Sequence, residues 1–394
     1  MLLGVLAGYC ALVLFPGIRW RLGLFDRGVW FLDSYAVLAA SDAVQAGLDP
    51  FKGNPLDVLE RPHSYSGWWF ALGEIGLTRQ HNFLVGGLWV AAFALAAAAC
   101  LRPSSWGEAG IGAAVLLSPP VMLAVNRANN DLVVFAVLAA GLLALRGAER
   151  WRIGVFIGAV TVATGLKFYP VIAGFPLLLL HPARRGIGAA GLCAIAAGLA
   201  LAGVWSDFRQ ATFPVPTQLH LFGAAILRRD LGWDGIEAAR WAGWILLAVG
   251  AWASHRRGWA VPLTREPALL VERSLFAAGA ILLTGCFAAG ISYAYRLIFV
   301  IFLLPFLWRT SARRPALLTL GAILVVLWLD GFYCLAANSL ATGPSPAGEI
   351  ARRQWIWRLT TQPVVWAAMM LLGGSVMGGL ASVWREWRSR EAGA

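Results

Sequence analysis

The chain has 394 residues, 59% of them hydrophobic and only 13% charged, with a net charge of +12. A soluble domain is roughly 45–50% apolar and about 25% charged, so this composition excludes an ordinary water-soluble globule and specifies a bilayer. Of the 32 basic residues only Lys52 and Lys167 are lysine; no basic stripe with interleaved aromatics accompanies the charge, which argues against nucleic acid and leaves positive-inside loops and phosphate recognition to explain the arginines.

Inside a bilayer the backbone must satisfy its own polar groups, through helices or a closed barrel. The apolar runs here are roughly 15–21 residues long, against about ten alternating residues for a barrel strand, so helices are predicted. The first run covers residues 2–18. It has no basic n-region and no small-residue cleavage site, and reads as an uncleaved span. Further apolar segments begin near Phe83, Ile111, Leu132, Ile153, Val171, Ile187, Trp241, Leu275, Leu297, Leu317 and Val364. The expectation is an all-α polytopic membrane protein of about twelve helices, a single integral-membrane domain over 1–394 without internal repeats. The cysteines (Cys10, Cys100, Cys193, Cys286 and Cys334) are odd in number, lie in or beside apolar segments, and lack paired spacing. They read as buried small apolar residues rather than disulfides or zinc ligands.

The connectors alternate in charge. One set holds Arg146, Arg150 and Arg152, then Arg184-Arg185, Arg256-Arg257, Arg309 with Arg313-Arg314, and Arg385, Arg388 and Arg390. The positive-inside rule places this set and both termini in the cytoplasm of an inner (plasma) membrane. The other set faces outward, short near 126–131, 166–170 and 291–296, and long over 18–82, 205–240 and 338–362. In the first long loop Asp33 to Gly47 reads as a helix with Pro50 as its stop. Val37, Val44 and Leu48 share one face and Ser34, Ser41 and Gln45 another, the pattern of an interfacial helix or of an ordinary loop helix.

Polar residues cluster in the outward connectors. The first loop holds Asp33, Asp49-Pro50-Phe51 and Arg61-Pro62-His63-Ser64-Tyr65; the short turns read Asn126-Arg127-Ala128-Asn129-Asn130-Asp131, Lys167-Phe168-Tyr169-Pro170 and Ser292-Tyr293-Ala294-Tyr295-Arg296. Each short turn carries one cation beside amides or aromatics. Ionisable groups at span ends snorkel, pair or work.

Asp33-Ser34-Tyr35, Gly47-Leu48-Asp49-Pro50-Phe51, Gly165-Leu166-Lys167-Phe168-Tyr169-Pro170 and Ser292-Tyr293-Ala294-Tyr295-Arg296 together resemble the GT-C superfamily of integral-membrane glycosyltransferases. The closest likeness is to glycosyltransferase family 87, the polyprenyl-phosphate-mannose-dependent mannosyltransferases. The likeness covers most of the chain in layout and rests on short motifs in residues, the Lys-Phe-Tyr-Pro turn being the most telling. Arg127-Ala128-Asn129-Asn130-Asp131 departs from the Gly-Gln-x-Asn pattern of family members, which bears on the sugar more than on the class. The resemblance implies a GT-C-like arrangement and an inverting transfer of a sugar from a polyprenyl-phosphate carrier to a lipid or glycan hydroxyl at the extracytoplasmic face. The absence of a Rossmann-type glycine fingerprint agrees, because a nucleotide sugar has no evident seat.

Inverting transfer needs a carboxylate to take the acceptor proton and cations to hold the leaving phosphate. Asp33 fits the base, with Asp131 in reserve, oriented by Asn130 and Arg127. The bland alternatives are N-caps of their helices. Lys167, Arg296, Arg61, Arg127 and His63 are the phosphate or donor candidates, against snorkelling for the cations and plain solvation for the histidine. Tyr35, Asp49, Tyr65, Asn130, Tyr169, Ser292, Tyr293 and Tyr295 would line the substrate, with an aromatic interface belt as the competing account of the tyrosines. Asp330 is an isolated acid in an apolar run, either functional or paired with an arginine. No acidic pair has metal-ligand spacing, so no cofactor or metal is predicted, although some GT-C enzymes use a divalent cation. The competing functions are a transporter or flippase of a lipid-linked or anionic substrate, and a non-catalytic subunit of an envelope-glycan assembly. Charges at span ends and the lack of repeated halves favour the enzyme.

Overall fold

The computed structural model describes residues 2–22, 24, 29–146, 150–180, 183–211, 221–233, 235–263, 269–340 and 347–391. It is nearly all α: helix makes up 79% of it, and the one sheet among the described residues is a two-stranded ribbon. The chain forms two compact units. The first comprises residues 1–25, 101–123 and 216–394, the second residues 26–100 and 124–215.

A bilayer core about 30 Å thick needs about 20 helical residues at 1.5 Å each. Among the described residues five helices meet that demand in length and composition: Arg79–Leu101, Arg184–Gly203, Leu270–Ala289, Arg313–Leu335 and Ile356–Ser389. A sixth crossing is available if Trp106–Leu116 and Pro119–Asn126 act as one span bent by 56°. The bend falls at Ser118-Pro119-Pro120, where two residues lack the N–H an α-helix would use.

The other apolar segments form helices that are shorter or more polar than expected. Leu2–Leu14 has 13 residues, Asp131–Ala144 has 14 and Arg150–Leu166 has 17. Glu237–Arg256 is long enough but carries Glu237, Arg240 and Arg256. The segment near Val171 is a 3₁₀ helix, Tyr169–Leu179, because Pro170 and Pro176 each remove a backbone donor. The segment near Leu297 is likewise 3₁₀ over Ala294–Phe302 before Leu304–Arg309. The long connector expected over 338–362 is largely taken up by the ends of two helices, Arg313–Leu340 and Ala347–Glu391. Of the cysteines, four are buried as expected; Cys10 is the exception and lies exposed.

In the second unit, Leu32–Gln45 forms the helix read from the first loop, and Gly47 follows it at φ +74°. Its faces differ from the expectation. Val37 is buried with Leu38, whereas Val44 and Leu48 are exposed. The serine face is the docking seam: Ser34 Oγ donates to Asn82 Oδ1 (2.6 Å), Ser41 Oγ donates to the Phe70 carbonyl (2.9 Å), and Gly73 N donates to Ser41 Oγ (2.9 Å). Val37 and Leu38 pack with Trp69, Val85 and Trp89, and Tyr65, Val133 and Leu166 close over them. This core fixes the loop helix against the helices that carry the short turns. In the first unit, Leu221–Phe222 pairs antiparallel with Ser292–Tyr293, and Tyr9 and Trp328 anchor their helices by hydrogen bonds to the Leu116 and Ala114 carbonyls (3.0 and 3.1 Å).

Candidate functional site

The second unit brings together the first loop and the polar turns at 126–131 and 166–170. Asp33 is the second residue of its helix, not its cap, and is 3% exposed. Arg127 grips it with two parallel bonds, Nη2 to Oδ1 (2.6 Å) and Nε to Oδ2 (2.9 Å). Asn129 Nδ2 donates to Oδ2 (2.7 Å) and Arg61 Nη1 lies 3.4 Å from Oδ1. The backbones are stitched as well, with Asp33 N donating to the Arg127 carbonyl (2.9 Å). Burial alone would push the Asp33 carboxyl up, but the charge and hydrogen bonds of Arg127, the charge of Arg61 and the Asn129 amide outweigh it and hold it at about 2. Arg61 is shared: its Nε reaches Asp57 Oδ2 at 2.7 Å and its Nη2 donates to Asp57 Oδ1 and to the Leu32 carbonyl, both at 3.1 Å.

Asn129 joins this group to a second carboxylate. Its Oδ1 accepts from Asp131 N (2.9 Å) while its Nδ2 holds Asp33. Asp131 is fully buried at the first position of Asp131–Ala144, and its carboxylate faces the Lys-Phe-Tyr-Pro turn rather than capping its helix. Lys167 Nζ lies 2.6 Å from Asp131 Oδ1 and donates to Asn130 Oδ1 (2.7 Å), and Tyr169 OH donates to Asp131 Oδ1 (2.6 Å). The ammonium sits between the Tyr65 and Tyr169 rings, 5.1 and 5.9 Å from their centroids. Lys167 is 5% exposed, so it does not snorkel. Gly165 packs so closely beneath Trp68 that a methyl there would collide with the ring, and Trp69 Nε1 donates to the Leu166 carbonyl (3.0 Å). Both contacts fix the turn that presents Lys167.

Backbone strain gathers at the same place. Among the described residues four non-glycines have positive φ, and three adjoin this network: Phe31 (56°), Glu60 (52°) and Ala128 (42°). They stand two residues before Asp33, directly before Arg61, and between Arg127 and Asn129. Such a conformation costs about 1–2 kcal/mol for a residue with a Cβ and persists where the surroundings over-determine it.

His63 is buried at 4% exposure, not solvated. Its Nε2 donates to the Ser66 carbonyl (3.2 Å), and Phe51, Tyr65 and Phe70 surround the ring. Burial pushes it down to about 4, against smaller upward effects of the Ser66 carbonyl and Asp207. A histidine kept neutral in this way contributes stability that is present above its ordinary value of 6.5 and is lost as pH falls from there to about 4. A shift of that size corresponds to about 3 kcal/mol. Thermal midpoints of the detergent-solubilised chain are expected to fall between pH 7 and pH 5, and His63→Gln, which retains a donor for Ser66, flattens that slope.

The remaining sequence candidates make other contacts. Asp49 is exposed, paired with Lys52 (3.1 Å), and its Oδ1 accepts from Phe51 N (3.1 Å), so it shapes a turn rather than lining the network. Tyr35 and Asp42 engage Arg79, Asp42 Oδ2 lying 2.7 Å from Nε. Ser292, Tyr293, Tyr295 and Arg296 belong to the first unit: Ser292 Oγ donates to the Phe222 carbonyl (3.2 Å), and the tyrosine rings stack at 5.5 Å. Asp57 and Asn129 join the network without a sequence motif that marks them. The Asp57–Arg61 spacing of four is the only local signal for the former.

The chain matches no protein-family model, no curated protein and no solved structure. Its chemistry therefore rests on the geometry. Three cations (Arg61, Arg127, Lys167) are balanced by three carboxylates (Asp33, Asp57, Asp131) in one buried network. Among the described residues no three His, Cys, Asp or Glu side chains form a group suited to hold a metal.

Proposed function

We propose that this chain is an inverting glycosyltransferase of the GT-C type. In this reading it moves a mannose-like sugar from a polyprenyl-phosphate carrier to a hydroxyl of a lipid or glycan acceptor, at the extracytoplasmic face of the inner membrane. About twelve helical segments cross or enter the bilayer, the short ones among them, and both termini are cytoplasmic. The observation that supports it is the joined network of Asp33 and Asp131 with Arg61, Arg127 and Lys167, drawn from three distant turns and bracketed by strained backbone.

The chemistry follows from what each group can exchange. The acceptor O–H attacks the anomeric carbon, its proton goes to a carboxylate, and the carbon–oxygen bond to phosphate breaks with the electron pair leaving on polyprenyl phosphate. A carboxyl held at about 2 is a poor proton acceptor near neutral pH. An arriving phosphate competes with Asp33 for the bidentate fork of Arg127 and for Arg61. Drawing the arginines onto phosphate frees Asp33 and raises its proton affinity, because burial then dominates. Donor binding thus arms the base, and Lys167 and the arginines hold the growing negative charge on the leaving phosphate. Arg296, in the first unit, carries no part of this reading.

The saturation of Asp33 also favours a second reading, in which the same network is a static clamp in a non-catalytic subunit of an envelope-glycan assembly. The full chain in proteoliposomes, given radiolabelled mannosyl polyprenyl phosphate and envelope lipids, separates the two. Transfer of label is expected from the unaltered chain, with Asp33→Asn lowering the rate by about 10²–10⁴ while donor is still bound. Full transfer by Asp33→Asn removes the base assignment. Absence of transfer by a folded wild-type chain supports the clamp, and label that crosses the bilayer without forming a glycosidic bond supports a flippase.

A further inference from the structure

In the first unit residues 222–225 close over the end of the helix Leu270–Ala289. Gly223 and Gly290 both stand at positive φ, +149° and +155°. A Cβ on Gly223 would collide with the Gly290 carbonyl, and Ala224 N donates to the Phe287 carbonyl (2.8 Å). The helix Glu237–Arg256 lies alongside, with Trp244 Nε1 donating to the Ala288 carbonyl (2.9 Å). These contacts border a cavity of about 350 Å³, within the range of small-ligand sites. Apart from Arg228, Arg240 and Trp244, every residue on its wall is alanine or glycine. The small side chains leave the space, and the arginines and one indole supply its chemistry.

Charge narrows the ligand. The wall carries two cations and no carboxylate. Asp230, two residues beyond Arg228, is engaged by Arg229 Nη2 (3.2 Å) and Arg358 Nε (3.0 Å). Arg240 is exposed and pairs with no carboxylate among the described residues. The first turn of Glu237–Arg256 and the last turn of Leu270–Ala289 meet here with opposite partial charges, so the arginines set the sign. Their planar forks suit a phosphate. Depth and surroundings say where that phosphate comes from. Leu270–Ala289 has 20 residues, about 30 Å of helix, so a cavity at its end stands at headgroup level. Trp244 meets Trp241 edge to face (5.0 Å). From Trp241 an exposed apolar stripe runs down the helix through Ile245, Val249 and Trp252, at helical spacing. The stripe gives an acyl chain a track leading away from the arginines.

We propose that this cavity binds an anionic phospholipid, its phosphate on Arg228 and Arg240 and an acyl chain along Trp241, Ile245 and Val249. A zwitterionic lipid offers the same phosphate, but its ammonium finds no acid on this wall. The site is independent of sugar transfer, and its test reads lipid retention alone. Native mass spectrometry of the full chain in detergent is the measurement, with equal amounts of phosphatidylglycerol, phosphatidylethanolamine and polyprenyl phosphate. Phosphatidylglycerol is expected to be retained at least about tenfold over phosphatidylethanolamine, since each arginine near a membrane surface favours an anionic headgroup by about fivefold. Arg240→Gln, at an exposed position, keeps the fold and lowers phosphatidylglycerol retention by about that fivefold factor. Ala239→Phe keeps both arginines, fills the cavity and lowers retention at least as much. Equal retention of phosphatidylglycerol and phosphatidylethanolamine overturns the proposal. So does an unchanged preference in Ala239→Phe, which would leave only arginines snorkelling to bulk headgroups. Tighter retention of polyprenyl phosphate, or displacement of phosphatidylglycerol by equimolar glycerol 3-phosphate, overturns it as well.

Discussion

Replacing Arg127 with leucine is expected to destabilise the chain by about 3–5 kcal/mol, the usual cost of stripping one partner from a buried ion pair. The guanidinium supplies two of the contacts to Asp33, at 2.6 and 2.9 Å, and leaves behind a carboxylate that is 3% exposed, with Asn129 at 2.7 Å and Arg61 at 3.4 Å. Arg127→Lys recovers only part of this, because an ammonium cannot make the parallel pair of bonds. The double variant Asp33→Leu with Arg127→Leu removes both charges and is expected to return most of the loss, giving a coupling of about 1–3 kcal/mol in the cycle. The pH dependence has a definite sign. With Arg127 present the Asp33 carboxyl lies at about 2, below its ordinary 3.8, so its contribution is intact above 3.8 and is lost only as pH falls from there toward 2. In Arg127→Leu burial dominates and the carboxyl rises above 3.8. The deficit is then largest at neutral pH and shrinks on acidification. Thermal midpoints in detergent at pH 7.5 and pH 5 read this directly; a deficit that grows toward pH 5 contradicts the burial argument.

This pair also marks how far the sequence could be read. The bilayer is legible because composition and run length are local properties, and the loop helix is legible because its start and stop residues lie within one stretch. The short turns holding Arg127, Asn129, Asn130, Asp131, Lys167 and Tyr169 are legible as polar islands among apolar runs. Which island meets which is another matter. Asp33 and Arg127 are 94 positions apart, and no helical or strand period links them; only the packing of Val37, Leu38, Trp69 and Val85 brings them together. The same holds for His63, whose loop position suggests water until Phe51, Tyr65 and Phe70 are seen around it. Apolar run length overstates α-helix length where prolines intervene: apolar composition continues through Pro170 and Pro176, but backbone donors do not, and Tyr169–Leu179 is 3₁₀. Val44 and Leu48 share the helical period of Val37, yet they lie exposed and the serines of that helix make the seam.

Lys167→Met is the second substitution with a large expected effect, and it separates structure from chemistry more sharply. It leaves Asp131, fully buried, with only the Tyr169 hydroxyl at 2.6 Å on Oδ1; Oδ2 has no hydrogen-bond partner, and Asn130 Oδ1 loses its donor. The expected cost is again about 3–5 kcal/mol. Methionine fills the slot between Tyr65 and Tyr169 but restores neither the charge nor the cation–π contacts, which contribute about 0.5–2 kcal/mol. Adding Asp131→Asn removes the orphaned carboxylate and keeps the shape, so the pair Lys167→Met with Asp131→Asn is expected to melt within about 1–2 kcal/mol of the unaltered chain. Asp131→Asn alone keeps Lys167 and serves as its control. If the lysine stabilises phosphate as it leaves, the double variant folds and yet loses sugar transfer by about 10²-fold or more, whereas Asp131→Asn keeps a substantial rate. If the double variant folds and transfers sugar as well as Asp131→Asn does, Lys167 serves only to neutralise a buried acid. The proposed phosphate site would then rest on Arg61 and Arg127, whose capture from Asp33 would be the step that arms the base.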